Sequence, residues 1–174
     1  MDNNIFNFIK LLVNSGWNCN PAKEGVSRKK NINVRLNESP SDFKEFVSSF
    51  DLLSNKLDTV WFTSIKDYSS TESENSFVWN EFEISSLEYA ESDEEKKSII
   101  SFWDKTLPFL TSVKGGYSYM AIVLNNDDYG KIVYGQEPIY EDTVHVCDSF
   151  QEFLHMFSLH ISGETQSPIF DDFM

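Results

Sequence analysis

The stretch that most constrains the fold runs from Gly115 to Phe157, where signals for a turn, three strands and a helix follow one another without conflict. Gly115-Gly116 permits a tight turn, because glycine reaches backbone angles that other residues avoid. Residues 117–124 place apolar side chains on both faces of a strand, which is typical of a strand in the centre of a sheet. The stretch therefore predicts a sheet built around this strand.

The same stretch predicts how the sheet continues. Residues 125–130 have turn chemistry, and residues 131–135 form the predicted return strand. Residues 136–142 are expected to leave the sheet and residues 143–147 to re-enter it. A final helix follows, with Asp148 or Ser149 as its N-cap.

The rest of the chain carries weaker but readable patterns. Apolar residues at helical spacing predict four helices, at 5–13, 43–50, 99–103 and 150–161. Ser39 is the predicted N-cap of the second helix. Ser92 is the predicted N-cap of the third helix, and this helix is expected to end at residues 107–109. Alternating patterns predict three further strands, at 32–36, 60–65 and 77–83. Together these elements fit one domain of 174 residues.

Charge is distributed unevenly. The 28 acids outnumber the 14 Lys and Arg residues, giving a net charge of −14. Residues 67–95 contain ten acids and no Lys or Arg, and residues 125–174 contain ten acids and one Lys. Such blocks repel nucleic acid and anionic membranes and attract basic surfaces, although acids that only maintain solubility remain an alternative. The charge argues against direct nucleic-acid binding.

Signals for catalysis or metal binding are weak. His155 and His160 are five residues apart, which does not match the i, i+4 spacing of a helical metal pair, and no G-x-S-x-G or P-loop motif occurs. Cys19 and Cys147 do not suggest a disulfide scaffold. No run reaches the roughly 18 apolar residues of a membrane span, and the first residues lack a basic leader region. We therefore expect a soluble, cytoplasmic protein that is not an enzyme and uses no cofactor.

The second half contains, in order, a helix ending in Trp103, the strand GYSYMAI at 116–122, IVYG at 132–135, Glu137-Pro138, and VHVCDSFQEFL at 144–154. This order of features resembles the SUKH superfamily. SPSDFKEF at 39–46 is similar to the Pro-x-Asp-Tyr/Phe-Lys-x-Phe helix of the family, with Ser39 where Leu is usual. These are core and turn positions, so they bear on fold more than on function.

The resemblance implies a single α+β domain over residues 1–162, with a central, mostly antiparallel sheet and helices packed against it. Residues 163–174 are expected to form an acidic, loosely attached tail. Bacterial members of the superfamily are mostly immunity proteins that bind and neutralise polymorphic toxins, and others are linked to fungal cell-wall assembly. The family shares no catalytic residues, and its toxin-binding residues differ from member to member.

Combined with the charge, the resemblance predicts a cognate protein toxin as partner, basic and nuclease-type, bound by a monomer or weak homodimer. The predicted contact residues are acids that pair with Arg and Lys, and tyrosines that act as anchors: Glu72, Glu74, Glu81, Glu83, Asp127, Asp128, Glu137, Glu141, Asp142, Tyr68, Tyr129 and Tyr140. Two alternatives remain open. One is an interaction module without a toxin, and the other is a small-molecule-binding or enzymatic domain with a site of scattered polar residues.

Overall fold

The computed structural model describes residues 2–23, 33–69 and 77–174. Within these ranges, seven antiparallel strands form one sheet, and their order in the sheet is their order along the chain. The strands are β1 Asn18–Pro21, β2 Phe50–Ser54, β3 Val60–Phe62, β4 Thr106–Ser112, β5 Ser118–Val123, β6 Ile132–Gln136 and β7 Ile139–Cys147. The helices within the described ranges are α1 Asn3–Asn14, α2 Val34–Glu38, α3 Ser41–Val47, α4 Ile65–Ser69, α5 Glu81–Tyr89, α6 Asp93–Trp103, α7 Phe150–Ile161 and α8 Pro168–Asp171. The predicted α+β class with an antiparallel sheet is confirmed.

Strand β5 lies at the centre, paired with β4 on one side and β6 on the other, as its sequence predicts. All six of its residues are buried. Side chains alternate between the two faces, so Met120 and Ile122 join a larger core while Tyr119 and Ala121 join a smaller one. The sheet is thus covered by helices on both faces, at least around its centre.

The larger core is rich in phenylalanine and is contributed mainly by α1, α3 and α7. Phe46 packs against Phe62 and Phe150, with ring centroids 5.1 and 5.2 Å apart. Ser149, one of the two predicted N-caps, begins α7: its hydroxyl accepts the Glu152 N–H at 3.1 Å, and the Glu152 carboxylate accepts the Asp148 N–H at 2.9 Å. The α7 prediction is confirmed.

The smaller core lies on the opposite face, under α5 and α6. Phe82 of α5 and Trp103 of α6 stack with centroids 6.5 Å apart, and both contact Tyr119 of β5. Helix α6 begins at the predicted cap, where the Ser92 hydroxyl accepts the Glu95 N–H at 3.1 Å. This core supports the surface described in the next subsection.

The strand predicted over residues 32–36 is wrong for its described part. Residue 32 lies outside the described ranges, and Val34–Glu38 forms helix α2. The Asn33 side chain accepts the Arg35 N–H at 2.8 Å and so caps this short helix. Alternation of apolar residues over so few positions does not separate a strand from a single helical turn.

Helix α3 begins later and ends earlier than predicted. Ser39, the predicted N-cap, is buried, and its hydroxyl donates to the Leu36 carbonyl at 2.7 Å, at the end of α2. Helix α3 starts at Ser41 without a side-chain cap. Phe50, predicted on the apolar stripe of the helix, begins β2 instead, although it still packs against Phe46 with centroids 5.2 Å apart.

The strand predicted over residues 77–83 is also wrong. Residues 77–80 form no regular element, and helix α5 begins at Glu81. Phe77 packs edge-on against Trp61 and against Phe82, with centroids 5.2 and 5.6 Å apart. These aromatic contacts hold the segment against the sheet, which explains a composition typical of strands.

Two segments predicted outside the sheet belong to it. Residues 107–109, the predicted end of a helix, lie in β4, whose seven residues are all buried. Residues 136–142 do not leave the sheet, because a tight turn pairs Gln136 with Ile139 and β7 runs on to Cys147. The register between β6 and β7 shifts on either side of Tyr134 of β6. The alternation of side chains between the two faces of β7 is therefore irregular.

The end of the chain is packed against the domain, which corrects the expectation of a loosely attached tail. Phe170 and Phe173 belong to the larger core and are 2% and 0% exposed. The Ser112 hydroxyl donates to the Asp172 carbonyl at 2.6 Å, and the Tyr134 hydroxyl donates to the Asp172 carboxylate at 2.6 Å. Phe170 packs against α7 and Phe173 against Tyr134 of β6, so these two residues, spaced three apart, and Asp172 anchor the end of the chain to α7, β4 and β6.

Candidate protein-binding surface

One end of the sheet brings together three connections: the end of α5, the turn before β5 and the turn between β6 and β7. The Glu137 N–H donates to the Tyr117 carbonyl at 2.9 Å, which joins the two turns. The Tyr140 ring packs on Phe82 with centroids 5.0 Å apart. We call the surface formed here the tyrosine–glutamate patch, and define it as Tyr89, Tyr117, Glu137, Ile139, Tyr140 and Glu141.

The patch exposes large aromatic and apolar side chains. Tyr89 is 83% exposed, Ile139 62% and Tyr117 46%. The Tyr117 ring stacks on Phe77 with centroids 6.3 Å apart, so part of its apolar face is fixed while the rest meets solvent. Single exposed apolar residues are common, but several exposed tyrosines in one place are typical of protein interfaces.

The pKa of Tyr140 reflects its surroundings in the patch. Burial raises the pKa of Tyr140, and the charges of Glu137, Tyr117, Tyr89 and Glu141 raise it further, in that order. The Tyr140 hydroxyl therefore stays protonated at neutral pH and can donate a hydrogen bond. Tyrosines among carboxylates suit a partner that presents Arg or Lys, which pair with carboxylates and pack on aromatic rings.

The patch rests on a fixed base of buried side chains. The Tyr119 hydroxyl donates to the Tyr140 carbonyl at 2.5 Å, and the Trp103 indole N–H donates to the Glu141 carboxylate at 2.6 Å. Burial raises the pKa of Tyr119 well above its usual value, with the Glu141 charge adding to the effect. Since Tyr119 and Trp103 are packed in the smaller core, they limit the movement of β7 beneath the patch.

Glycine is required in the turn at one position. Gly116 has a φ of +146°, and a Cβ there would lie 2.7 Å from the Glu137 Oε1 atom. The Glu137 carboxylate consequently lies directly over the turn. A larger residue at 116 would displace the carboxylate or strain the backbone.

The structure brings only some of the predicted contact residues together. Tyr140, Glu137 and Glu141 lie in the patch, and Asp142 is the exposed residue that follows them in β7. Glu81 is half-buried in the first turn of α5. The acids and tyrosine predicted in residues 127–129 lie at the other end of β6, about 17 Å away along a five-residue strand.

That distant loop has its own local contacts. The Asp128 carboxylate pairs with Lys131 at 2.7 Å, and the Tyr129 hydroxyl donates to the Glu38 carbonyl at 2.8 Å. Asp127 and Tyr129 are exposed. The predicted set is therefore two separate surfaces, which a single small interface does not cover.

Four further predicted contact residues need correction or fall outside the described residues. Tyr68 cannot serve as a surface anchor, because it is 3% exposed and its hydroxyl donates to the Pro108 carbonyl at 2.5 Å. Glu83 is not free to bind a partner, because it forms an ion pair with Arg35, whose guanidinium contacts both carboxylate oxygens at 2.7 and 3.1 Å. Glu72 and Glu74 lie outside the described residues.

Sequence reasoning missed Tyr89, Tyr117 and Ile139 as surface residues. Tyr117 was assigned to one face of the central strand, but β5 begins one residue later, at Ser118. Its position directly after Gly115-Gly116 is the signal that could have placed it at a sheet end. Tyr89 carries no such signal, because its neighbours depend on the position of α5.

Within the described ranges, no three His, Cys, Asp or Glu side chains are grouped so as to hold a metal ion. Among the described residues, no helix has the length and apolar character to cross a membrane. Comparison of the chain with protein-family models, curated proteins and solved structures found no match.

Proposed function

We propose that this protein is an immunity protein of the SUKH type, which binds and neutralises a basic, nuclease-type protein toxin by steric and electrostatic blocking. The observation that carries the proposal is the tyrosine–glutamate patch, an exposed aromatic surface bordered by carboxylates. Its chemistry matches a partner that presents Arg and Lys. The order of sequence features that resembles the superfamily supports the same function.

The whole-chain charge supports the proposal through the rate of association. A net charge of −14 attracts a basic partner from solution. The patch then supplies short-range contacts, in which Tyr89 and Tyr117 pack on the partner and Glu137 pairs with a cation. A nuclease surface that grips phosphates is basic, so carboxylates can occupy the places of the phosphates.

The class of function is tested by co-expression with the C-terminal domain of a candidate toxin encoded next to this protein's gene. Rescue of growth together with a co-purifying complex is the expected result. If neighbouring genes encode no toxic domain, or if a toxic one is not neutralised, the immunity function is refuted. The interaction-module alternative would then take its place.

The use of the patch is tested in the same complex with variants matched in charge. The double variant Glu137→Lys/Tyr117→Ala alters the patch, and Asp127→Lys, which makes the same change in net charge, alters the loop at the other end of β6. We expect the first to raise the dissociation rate by at least about 30-fold, as loss of an interface hot spot of about 2 kcal/mol implies. The second is expected to slow association only, and less so at high salt.

Equal effects of the two variants on the dissociation rate would contradict a binding role for the patch. Growth rescue would still report whether neutralisation occurs at all. The two results therefore separate an incorrect surface from an incorrect function.

A further inference from the structure

A groove of about 650 Å³ opens on the sheet face that carries the smaller core. It lies between the second half of α6 and the neighbouring strands β5, β6 and β7. Phe102, Val123 and Val133 form its apolar wall, and the register pairs Val133 with His145 across β6 and β7. The volume falls within the range of small-molecule sites, which is about 300–1,000 Å³.

The groove is lined by hydroxyl groups and lysine ammonium groups that can donate hydrogen bonds, together with Asn125 and the Asp128 carboxylate. One side of the groove is lined by Ser98, Ser101 and Lys105, whose spacing of three and four residues is that of one helical face. Thr143 lines the other side. In the described chain, no carboxylate lies within ion-pair distance of Lys105, although the protein carries a net charge of −14.

The remaining charges of the groove are nearly balanced. Lys131 is paired with Asp128 at 2.7 Å, so these two lining residues neutralise each other. His145 contacts Asp148 at 3.0 Å. The Lys105 ammonium is thus an uncompensated cation beside free hydroxyls and an apolar wall. In an acidic protein, such a group is available to an anion.

We propose that this groove binds a small organic anion, with its carboxylate or phosphate held by Lys105 and the neighbouring hydroxyls and its apolar body against Val123 and Val133. This site is separate from the tyrosine–glutamate patch and does not depend on the proposed immunity function.

The test is titration of the full-length ¹⁵N-labelled protein with four probes: phenyl phosphate, benzoate, inorganic phosphate and benzyl alcohol. Saturable amide shifts at Val123, Val133 and Thr143 are expected with at least one of the two aryl anions. Tighter binding of one aryl anion identifies the head group. Inorganic phosphate is expected to bind more weakly, because it lacks the apolar body, and benzyl alcohol is expected to cause no saturable shift.

Two variants identify the cation. Lys105→Met is expected to weaken binding about tenfold or more, as loss of a hydrogen bond to a charged group implies. Lys96→Met is the control, because it removes the same charge from the opposite side of α6 and should leave the affinity unchanged. Both residues are exposed, and a dispersed amide spectrum verifies folding of each variant.

Three results would overturn the proposal. One is the absence of saturable shifts in the groove with either aryl anion. Another is equal affinity of the wild-type protein and the Lys105→Met variant. The third is binding of benzyl alcohol as tight as that of the aryl anions, which would leave no role for the negative charge.

Discussion

Replacement of Gly135 by alanine is expected to destabilise the protein, although glycine in a strand is ordinarily a weak point. Gly135 of β6 pairs with Tyr119 of β5, and the tyrosine ring lies over it. A Cβ at residue 135 would lie 2.5 to 2.6 Å from the ring atoms Cζ and Cε1 and the hydroxyl oxygen. These distances are too short for any real contact, so the ring must move.

The ring has little room for this movement. Tyr119 is 0% exposed, contacts Phe82 and Trp103, and holds the Tyr140 carbonyl. Forcing an extra methyl into a packed core costs about 1–3 kcal/mol. The loss of unfolded-state entropy on replacing glycine offsets about 0.4–1 kcal/mol of this cost. We therefore expect a net loss of about 1–2 kcal/mol, or a Tm lower by about 2–8 °C for a chain of this size.

Urea unfolding followed by circular dichroism measures the change in the free energy of unfolding. Gly115→Ala is the control, because no atom lies within 4 Å of its Cβ position, and a change within about 0.5 kcal/mol is expected. In a Tyr119→Ala background the clash is absent, so Gly135→Ala should become neutral or stabilising. A Gly135→Ala variant as stable as the wild type would refute the reasoning and the fixed base assigned to the patch.

Three further outcomes can be measured by the same unfolding assay. Arg35→Ala should lower the free energy of unfolding by about 2–4 kcal/mol, because the Glu83 carboxylate, whose side chain is 12% exposed, loses its partner; a change below about 0.5 kcal/mol would contradict this. Burial raises the pKa of the Cys147 thiol to about 12, so the neutral thiol contributes its full stabilisation below the unfolded pKa near 9 and loses it as the pH rises toward 12. Between pH 9 and 10, the free energy of unfolding of Cys147→Ala should therefore fall by about 1 kcal/mol less than that of the wild type. Equal decreases in the two proteins would contradict this. Phe170→Ala should cost about 3–5 kcal/mol, whereas Phe6→Ala at a 55% exposed site should change stability little, and equal effects would contradict a packed α8.

The parts of the fold that sequence predicts are those where local and long-range signals agree. Strand β5 is apolar on both faces because it is central, and α7 carries both a capping box and an apolar stripe. The strand predicted over residues 77–83 is wrong because the local and long-range signals disagree there. Their aromatic composition is typical of a strand, but Phe77 and Phe82 meet Trp61 and Tyr140 from a turn and a helix.

The candidate surface was only partly predictable. Sequence identifies acids and tyrosines, but it does not show which of them have partners inside the protein. Glu83 meets Arg35 across 48 positions, and Tyr68 meets Pro108 across 40. Such pairings depend on tertiary packing and have no local signature. In contrast, Glu137 and Tyr140 are adjacent to a turn, where exposure follows from position.

The strand order of the sheet has a consequence for folding. Each strand pairs with its predecessor along the chain, and the connections after β2, β4, β5 and β6 are short. Most of the sheet can therefore be built by successive additions with short loop closures, which favours rapid assembly and allows it to proceed during synthesis. The larger core differs, because Phe8 of α1 packs against Phe153 and Phe157 of α7. Helix α1 can complete its packing only when α7 is present, so cooperative closure of this core is expected only after residue 157 has emerged.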